Sequence, residues 1–242
     1  MDASLWIAKT GLQAQQTRMS VISNNLANVN TTGYKKDRAV FEDLLYQNVA
    51  PAGGQADAQS ETPTGLMLGT GTRVVATEKL HAQGNIIQTE NSTDVSISGD
   101  GYFAIQQADG TMAYTRDGAF KMSSTGQLVT HGGEVLTPAI TIPQNAAGIT
   151  IGRDGTVTVE LANGGGATQV GQIQVSRFIN NSGLSPMGRN LMKESVASGA
   201  PIVGIPGSDG AGMLMQGALE ASNVNVVEEM VNMIETQRAY EV

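Results

Sequence analysis

All seven prolines of this 242-residue chain fall between Pro51 and Pro206. The first 50 residues and the last 36 carry none. Proline lacks a backbone donor and clashes with the preceding helical turn, so long uninterrupted helices are permitted only at the two ends. Whatever lies between must be short elements broken by turns.

The N-terminal end uses that permission. Leu5, Leu12, Met19 and Leu26 recur every seven residues, and Ala8, Gln15, Ile22 and Val29 form a second series three positions along. At about 100° per residue these fall in one arc about 120° wide. Lys9, Gln13, Thr17 and Ser20 occupy other faces. The pattern predicts an amphipathic helix of about 25 residues, with Asp2 or Ser4 as a candidate cap. A seven-residue repeat suits a coiled-coil seam. The helix runs into the asparagine-rich stretch Asn24, Asn25, Asn28, Asn30 and then Thr31, Thr32 and Gly33, residues that end helices. At the other end, SNVNVVEEMVNMIETQRAYEV opens with Asn225 and Glu228 at capping-box spacing. Val226, Val227, Met230, Val231, Met233, Ile234 and Tyr240 then cover an arc of about 200°. That arc is too wide for one partner helix.

The middle differs in kind. Ala50 to Leu66 is rich in Gly, Pro, Ala and Gln and reads as a loose or extended connection. After it come short alternating runs, TRVVATEKL, DVSISG, YFAIQQ, MAYT, QLVT, ITI, TVTVE and QIQVSRF. Steps such as Asp109-Gly110, Asp117-Gly118 and Asp154-Gly155 separate them, which is hairpin chemistry. Residues from about 70 to 215 therefore read as an all-β domain.

Several function classes are disfavoured. The chain is acidic, with net charge -8, unlike the basic surface of a nucleic-acid binder. Lys35, Lys36 and Arg38 read as a small solvated surface cluster. With no cysteine, disulfides and thiolate metal sites are excluded. No apolar run approaches the roughly 18 residues of a membrane span, and the start lacks the features of a Sec-type signal peptide. From these features alone the default location is cytoplasmic. The two histidines, His81 and His131, sit in no metal-ligand spacing and read as surface or hairpin residues. Gly99 to Ala104 matches G-x-G-x-x-A, but the continuation alternates like a strand where a dinucleotide site needs a helix. No carboxylate pair stands out for glycoside hydrolysis.

Two apolar helices at opposite chain ends therefore need partners that a distant β domain does not supply. A subunit that offers one surface and accepts on another repeats into a ring or an open helical filament.

The motifs agree with this reading. SNNLANVNTTGYKK (23 to 36) resembles the N-terminal signature of the bacterial flagellar rod and hook proteins, and the likeness continues through FEDLLYQ, GTGTRV, QGNIIQTENSTDVSISGDGYF, AYTRDGAF, ITIGRDGTV and GALEASNVNVVEEMVNMIETQRAYE. The segment Tyr46 to Leu68 resembles the insertion of distal rod members, which hook proteins generally lack and which is associated with a straight, rigid rod. The resemblance implies an α+β chain with no enzymatic activity, cofactor or metal. Residues 1–33 would be an N-terminal helix and 216–242 a C-terminal helix, pairing as a coiled-coil-like inner domain. Residues 34–69 would be an extended connector and 70–215 an outer all-β domain. Leu5, Leu12, Met19, Ile22 and Leu26, with Val226, Met230, Met233 and Ile234, would be inner-layer contacts. Asn24, Asn25, Leu26, Asn28, Asn30, Thr32, Gly33 and Tyr34 carry the family motif, with their amides free to bond neighbouring subunits or the connector. The implied partners are further copies of the chain, other rod proteins, the hook protein, the P and L rings and the flagellar type III export apparatus. The implied location is the basal-body rod in the periplasm, reached without a cleaved signal. Members of the family continue the C-terminal helix beyond QRAYE, so the resemblance implies that the sequence stops within that helix. The rival readings are a proximal rod or hook-type protein, a β-rich cell-wall enzyme and a trimeric fibre.

Overall fold

The computed structural model describes residues 3–50, 55–57, 60–61, 64–162 and 166–241. The chain divides into two compact units. The first joins residues 1–27, 37–79 and 225–242, and the second joins 28–36 and 80–224.

In the first unit, helix α1 spans Ala3–Ala27 and helix α2 spans Val226–Glu241. The predicted length of α1 is met. Ser4 lies inside the helix and so does not cap it, while Asp2 falls outside the described residues. Asn225 does cap α2: its Oδ1 accepts from the N–H groups of Val227 at 3.1 Å and Glu228 at 3.4 Å, relieving orphan donors of the first turn.

Between the helices in this unit runs an antiparallel ribbon, where the sequence suggested a loose connector. Asp37–Asp43 pairs with Thr72–Lys79, Tyr46–Ala50 with Leu66–Gly69, and Gln55–Asp57 with Ser60–Glu61. Part of the Ala50 to Leu66 segment lies outside the described residues. Opposite charges face each other across the first ladder. Lys79 Nζ lies 2.9 Å from Asp37, Arg38 lies 2.9 Å from Glu78, and Arg73 pairs with Glu42. Directly opposed ion pairs of this kind add modestly to a ladder. The strand Thr72–Lys79 thus belongs with the helices and not with the β domain that the sequence starts at residue 70. The reason is pairing: its hydrogen bonds go to Asp37–Asp43. α1 approaches the ribbon at Gly71, where a Cβ would lie 2.2 Å from Thr10 Oγ1.

Among the described residues the strands of the second unit pair antiparallel throughout, with one 3-10 turn at Asn181–Gly183. Among the described residues its main sheet runs in the order Lys121–Met122, Leu128–Val129, Val135–Thr137, Tyr102–Gln106, Met112–Thr115, Leu191–Lys193, Ser185–Gly188. Val175–Arg177 pairs with Tyr102–Gln106 and with Ile202–Gly204. A smaller sheet joins Ala146–Ile151, Thr156–Leu161 and Ala167–Gln172. Met213–Gln216 pairs with Val95–Ser98, and Ala218–Glu220 pairs with Ile86–Gln88. The core gathers Val95, Ile97, Phe103, Phe120, Leu136, Val157, Val159, Ile173, Val175 and Leu214. Phe103 and Phe120 meet edge to face at 5.1 Å, a favoured aromatic geometry. Tyr102–Gln106 is buried on both faces, because Tyr102 and Ala104 join a second cluster with Tyr114 and Phe178.

The Asp109-Gly110 and Asp154-Gly155 steps form the predicted turns, with Gly110 and Gly155 at φ 83° and 82°. The Asp117-Gly118 step does not. A Cβ on Gly118 would lie 1.6 Å from the Val95 carbonyl oxygen. This glycine serves a close backbone crossing, not a hairpin.

Candidate assembly surface and the buried junction

The two terminal helices lie side by side in the first unit, and most of their apolar residues stay exposed. With Leu5 at zero on the wheel, the predicted stripe of α1 spans about 240° to 360°. The residues of α1 that are buried are Ala14, Ile22 and Asn25, at about 180° to 260°. Only Ile22 belongs to both sets. Leu5 remains 65% exposed and Leu12 43% exposed, while Met19 and Leu26 are half-buried. In α2 the buried residues are Glu229 and Thr236. Val226, Met230 (50%) and Ile234 (49%) stay exposed, as do Val227, Val231 and Tyr240. Met233 is half-buried.

The subunit therefore uses the polar shoulders of both helices internally. Asn25 Nδ2 reaches Glu229 Oε2 at 3.4 Å. The Asn25 amide also bonds the Asp37 backbone in both directions, donating to its carbonyl and accepting from its N–H, each at 2.9 Å. The bond ties the helix to the segment that follows it. It also explains a mid-helix asparagine, whose intrinsic propensity is mediocre: its side chain is spent on holding the ribbon. Exposed apolar surface this extensive on paired helices marks an interaction face.

Asn24 and Leu26 stay with the first unit, and the motif from Asn28 on belongs to the second. Asn28 Oδ1 accepts from Thr31 Oγ1 at 3.1 Å, and Thr32 Oγ1 bonds Asp117 at 3.0 Å. Asn24 and Asn30 are exposed. Gly33 is buried with φ 67°, and a Cβ there would lie 2.6 Å from the Asp117 nitrogen. Its N–H donates to the Glu220 carbonyl at 2.8 Å. Tyr34 accepts on its carbonyl from the Asn223 N–H at 3.4 Å.

The following lysine corrects the reading of a solvated cluster. Lys35 is 2% exposed. Its Nζ lies 2.6 Å from Glu220 Oε1 and 2.8 Å from the Ala82 carbonyl. Glu220 also accepts from Arg116 Nε at 2.9 Å and from the Gly84 N–H at 2.9 Å. Arg116 in turn donates to the carbonyls of Gly99 at 2.9 Å and Gly101 at 2.6 Å. So the GDG turn that mimics a dinucleotide fingerprint is a loop held by a buried arginine. Burial depresses the Lys35 pKa, Glu220 opposes that shift, and Arg116 adds to it. An ion pair this deep persists because its remaining polar atoms are bonded. Sequence reasoning missed Lys35, Arg116, Glu220 and Asn223. Each lies in a motif, GYKK, AYTRDG or GALEASN, but nothing local to any of the three marks its charge as buried.

His81 is half-buried. It shares a 2.7 Å hydrogen bond between its Nδ1 and Tyr102 Oη. His131 is exposed in the turn before Val135–Thr137. Among the described residues no cluster of His, Asp and Glu has metal-binding geometry, and no helix is long and apolar enough to cross a membrane.

Known proteins carry the same segments. Residues 5–35 match the family of flagella basal body rod proteins. Residues 96–159 match the D1 domain of flagellar hook protein FlgE/F/G, and 215–242 match the C-terminal part of flagellar basal body rod FlgEFG proteins. Over 242 residues the chain is 52% identical to flagellar basal-body rod protein FlgG of Buchnera aphidicola subsp. Acyrthosiphon pisum, spanning 100% of this chain and 93% of that one. It is 53% identical over 242 residues to the same protein from Buchnera aphidicola subsp. Schizaphis graminum, with the same coverage. To FlgG of Borreliella burgdorferi it is 49% identical over 244 residues, spanning 100% and 92%. With motif, helix ends and full-length likeness in agreement, the chain belongs to the FlgG family of flagellar basal-body rod proteins, which are structural and not enzymatic.

Proposed function

We propose that copies of this rod subunit assemble into a helical homopolymer, the distal rod, which carries torque from motor to hook. The open apolar faces of α1 and α2 pair between copies as a coiled-coil-like inner layer around an export channel. Leu5, Leu12, Met19, Ile22, Leu26, Val226, Met230, Met233 and Ile234 make the inner-layer contacts. The β unit faces outward, towards the P and L rings. Subunits reach the periplasm through the flagellar type III export apparatus without a cleaved signal, and the polymer joins other rod proteins below and the hook protein above.

The single observation that carries this reading is the exposed apolar arc on both terminal helices. Helix α1 buries only Ala14, Ile22 and Asn25 and helix α2 only Glu229 and Thr236, so most of each apolar arc stays open. Helices with an unsatisfied apolar face need further partners, and a heterologous contact repeated by every copy makes a filament. Electron cryomicroscopy of polymers grown from the purified chain tests it. The expected result is a straight helical filament with α1 and α2 lining its inside. A closed trimer, or a filament with these helices on its outer surface, overturns it.

A further inference from the structure

Three passages of the chain meet at the edge of the β unit, around 36, 80 and 224. One side chain fastens all three. Asn223 Oδ1 accepts from the Lys36 N–H at 2.7 Å, and Asn223 Nδ2 donates to the carbonyls of Leu80 at 2.8 Å and Ala82 at 3.0 Å. The Leu80 N–H donates to the Lys36 carbonyl at 2.9 Å. Beneath this lies the Lys35, Glu220 and Arg116 group. Lys35 and Glu220 are 185 positions apart in sequence, so the buried Lys35 ammonium meets its carboxylate only when both chain-end segments are in place. Removing one member of a buried pair shifts the folded population on the order of a hundred- to a thousandfold. The helices beyond this point are held differently. Between them α1 and α2 bury only Ala14 and Ile22 as apolar side chains, and elements with few buried apolar contacts open at low free energy.

We propose that Lys35, Arg116, Glu220 and Asn223 form an interlocking clasp that bounds the β unit. It holds Asn28–Lys36 and the 217–224 segment folded onto that unit in a subunit whose helix faces are still uncovered, and it makes release of either segment depend on the other. Unfolding that starts in the helices stops here. The inference rests on the assembly reading only for its setting, the subunit before it is incorporated.

Amide hydrogen exchange by mass spectrometry on the full chain, in a monomer verified by sedimentation, tests it. In the wild type, 33–36, 80–85 and 220–223 are expected to exchange as slowly as the sheet strand Tyr102–Gln106. Amides of α1 and α2 should exchange at least about tenfold faster. Glu220→Gln strands two buried cations and should speed exchange in 33–36 as much as in 220–223. Adding Lys35→Met to that variant removes one stranded charge and should recover at least about tenfold protection in both segments. Should Glu220→Gln fail to fold, Asn223→Ala removes only the fastening hydrogen bonds and should open 33–36 and 80–82 together. The clasp is refuted if Glu220→Gln or Asn223→Ala loosens 220–223 alone. Helices protected to the same degree as the sheet would also refute it. A chain that fails to polymerise would overturn the assembly reading and leave this exchange pattern untouched, so the two ideas fail separately.

Discussion

Leu12→Asp separates assembly from folding. Full burial of a leucine side chain is worth about 1.5 to 3 kcal/mol. In the free subunit 43% of Leu12 is still exposed, so covering it on assembly gains roughly 0.6 to 1.3 kcal/mol. Leu12→Ala forfeits that gain, and the critical concentration for polymerisation should rise about three- to tenfold. Leu12→Asp adds an unpaired carboxylate to an apolar seam, at an effective cost of about 3 to 5 kcal/mol. The sum, roughly 4 to 6 kcal/mol, raises the critical concentration by on the order of a thousandfold or more. The same change costs the monomer little, because an exposed helical Asp is only about 0.7 kcal/mol worse than the best residues. Pelleting across a concentration series gives the critical concentration, and near-ultraviolet circular dichroism reports the β unit. Gln13→Asp, about 100° away around the helix, is the matched control and should polymerise like the wild type. If Leu12→Asp polymerised at the wild-type concentration, or Gln13→Asp failed equally, the seam would not lie on the Leu5 and Leu12 face.

Three further outcomes are expected. Gly33→Ala places a methyl at φ 67° and 2.6 Å from a backbone nitrogen. Urea unfolding of the β unit should show a loss of about 2 kcal/mol or more with an unchanged slope. The Asp154 carboxyl is held below its ordinary value of 3.8, first by the Thr156 hydroxyl and then by the Thr156 N–H. A depressed folded pKa means that its contribution is present above the unfolded value and is lost as pH falls through the folded one. Its NMR titration midpoint should therefore lie below 3.8, and Thr156→Val should move it back up. Deleting Ala50 to Leu66 should leave a polymer that bends more easily, measured as a shorter persistence length in micrographs; equal stiffness would remove that segment from the account of rod rigidity.

The parts of this fold that were legible in the sequence are those fixed by local chemistry. Proline-free ends and heptad spacing locate α1, and Asn225 announces the start of α2. Strands such as Tyr102–Gln106 and Thr156–Leu161 alternate or run apolar, and the Asp109-Gly110 turn needs its glycine. In the ribbon of 37–79 the run TRVVATEKL was legible as a strand, but its partner Asp37–Asp43 was not, and Tyr46–Ala50 and Leu66–Gly69 are exposed on both faces and so lack the alternation that burial imposes. Opposed charge across the ladder adds modestly to its backbone pairing, as in Asp37 with Lys79 and Glu42 with Arg73. Such pairs are visible only once the register is known. Asp117-Gly118 misled for a related reason. A glycine needed for close approach to Val95 has the same letter as one needed for a left-handed turn.

Lys35 marks the deeper limit. From sequence, a lysine beside a turn is a solvated charge, because burying an ammonium alone is prohibitive. Only a carboxylate 185 residues away reverses that judgement, and no local pattern points to it. The asparagines divide along the same line. Asn28 acts within its own turn, and Thr31 completes it three residues on. Asn25 acts at a distance, on Asp37 and Glu229. Asn25, poor for a mid-helix position, and Lys35, unremarkable between Tyr34 and Lys36, both answer to contacts distant in sequence. In this chain both such residues lie in one twelve-residue stretch, Asn25 to Lys36. There α1, whose apolar arc is largely exposed, ends and the β unit's clasp begins.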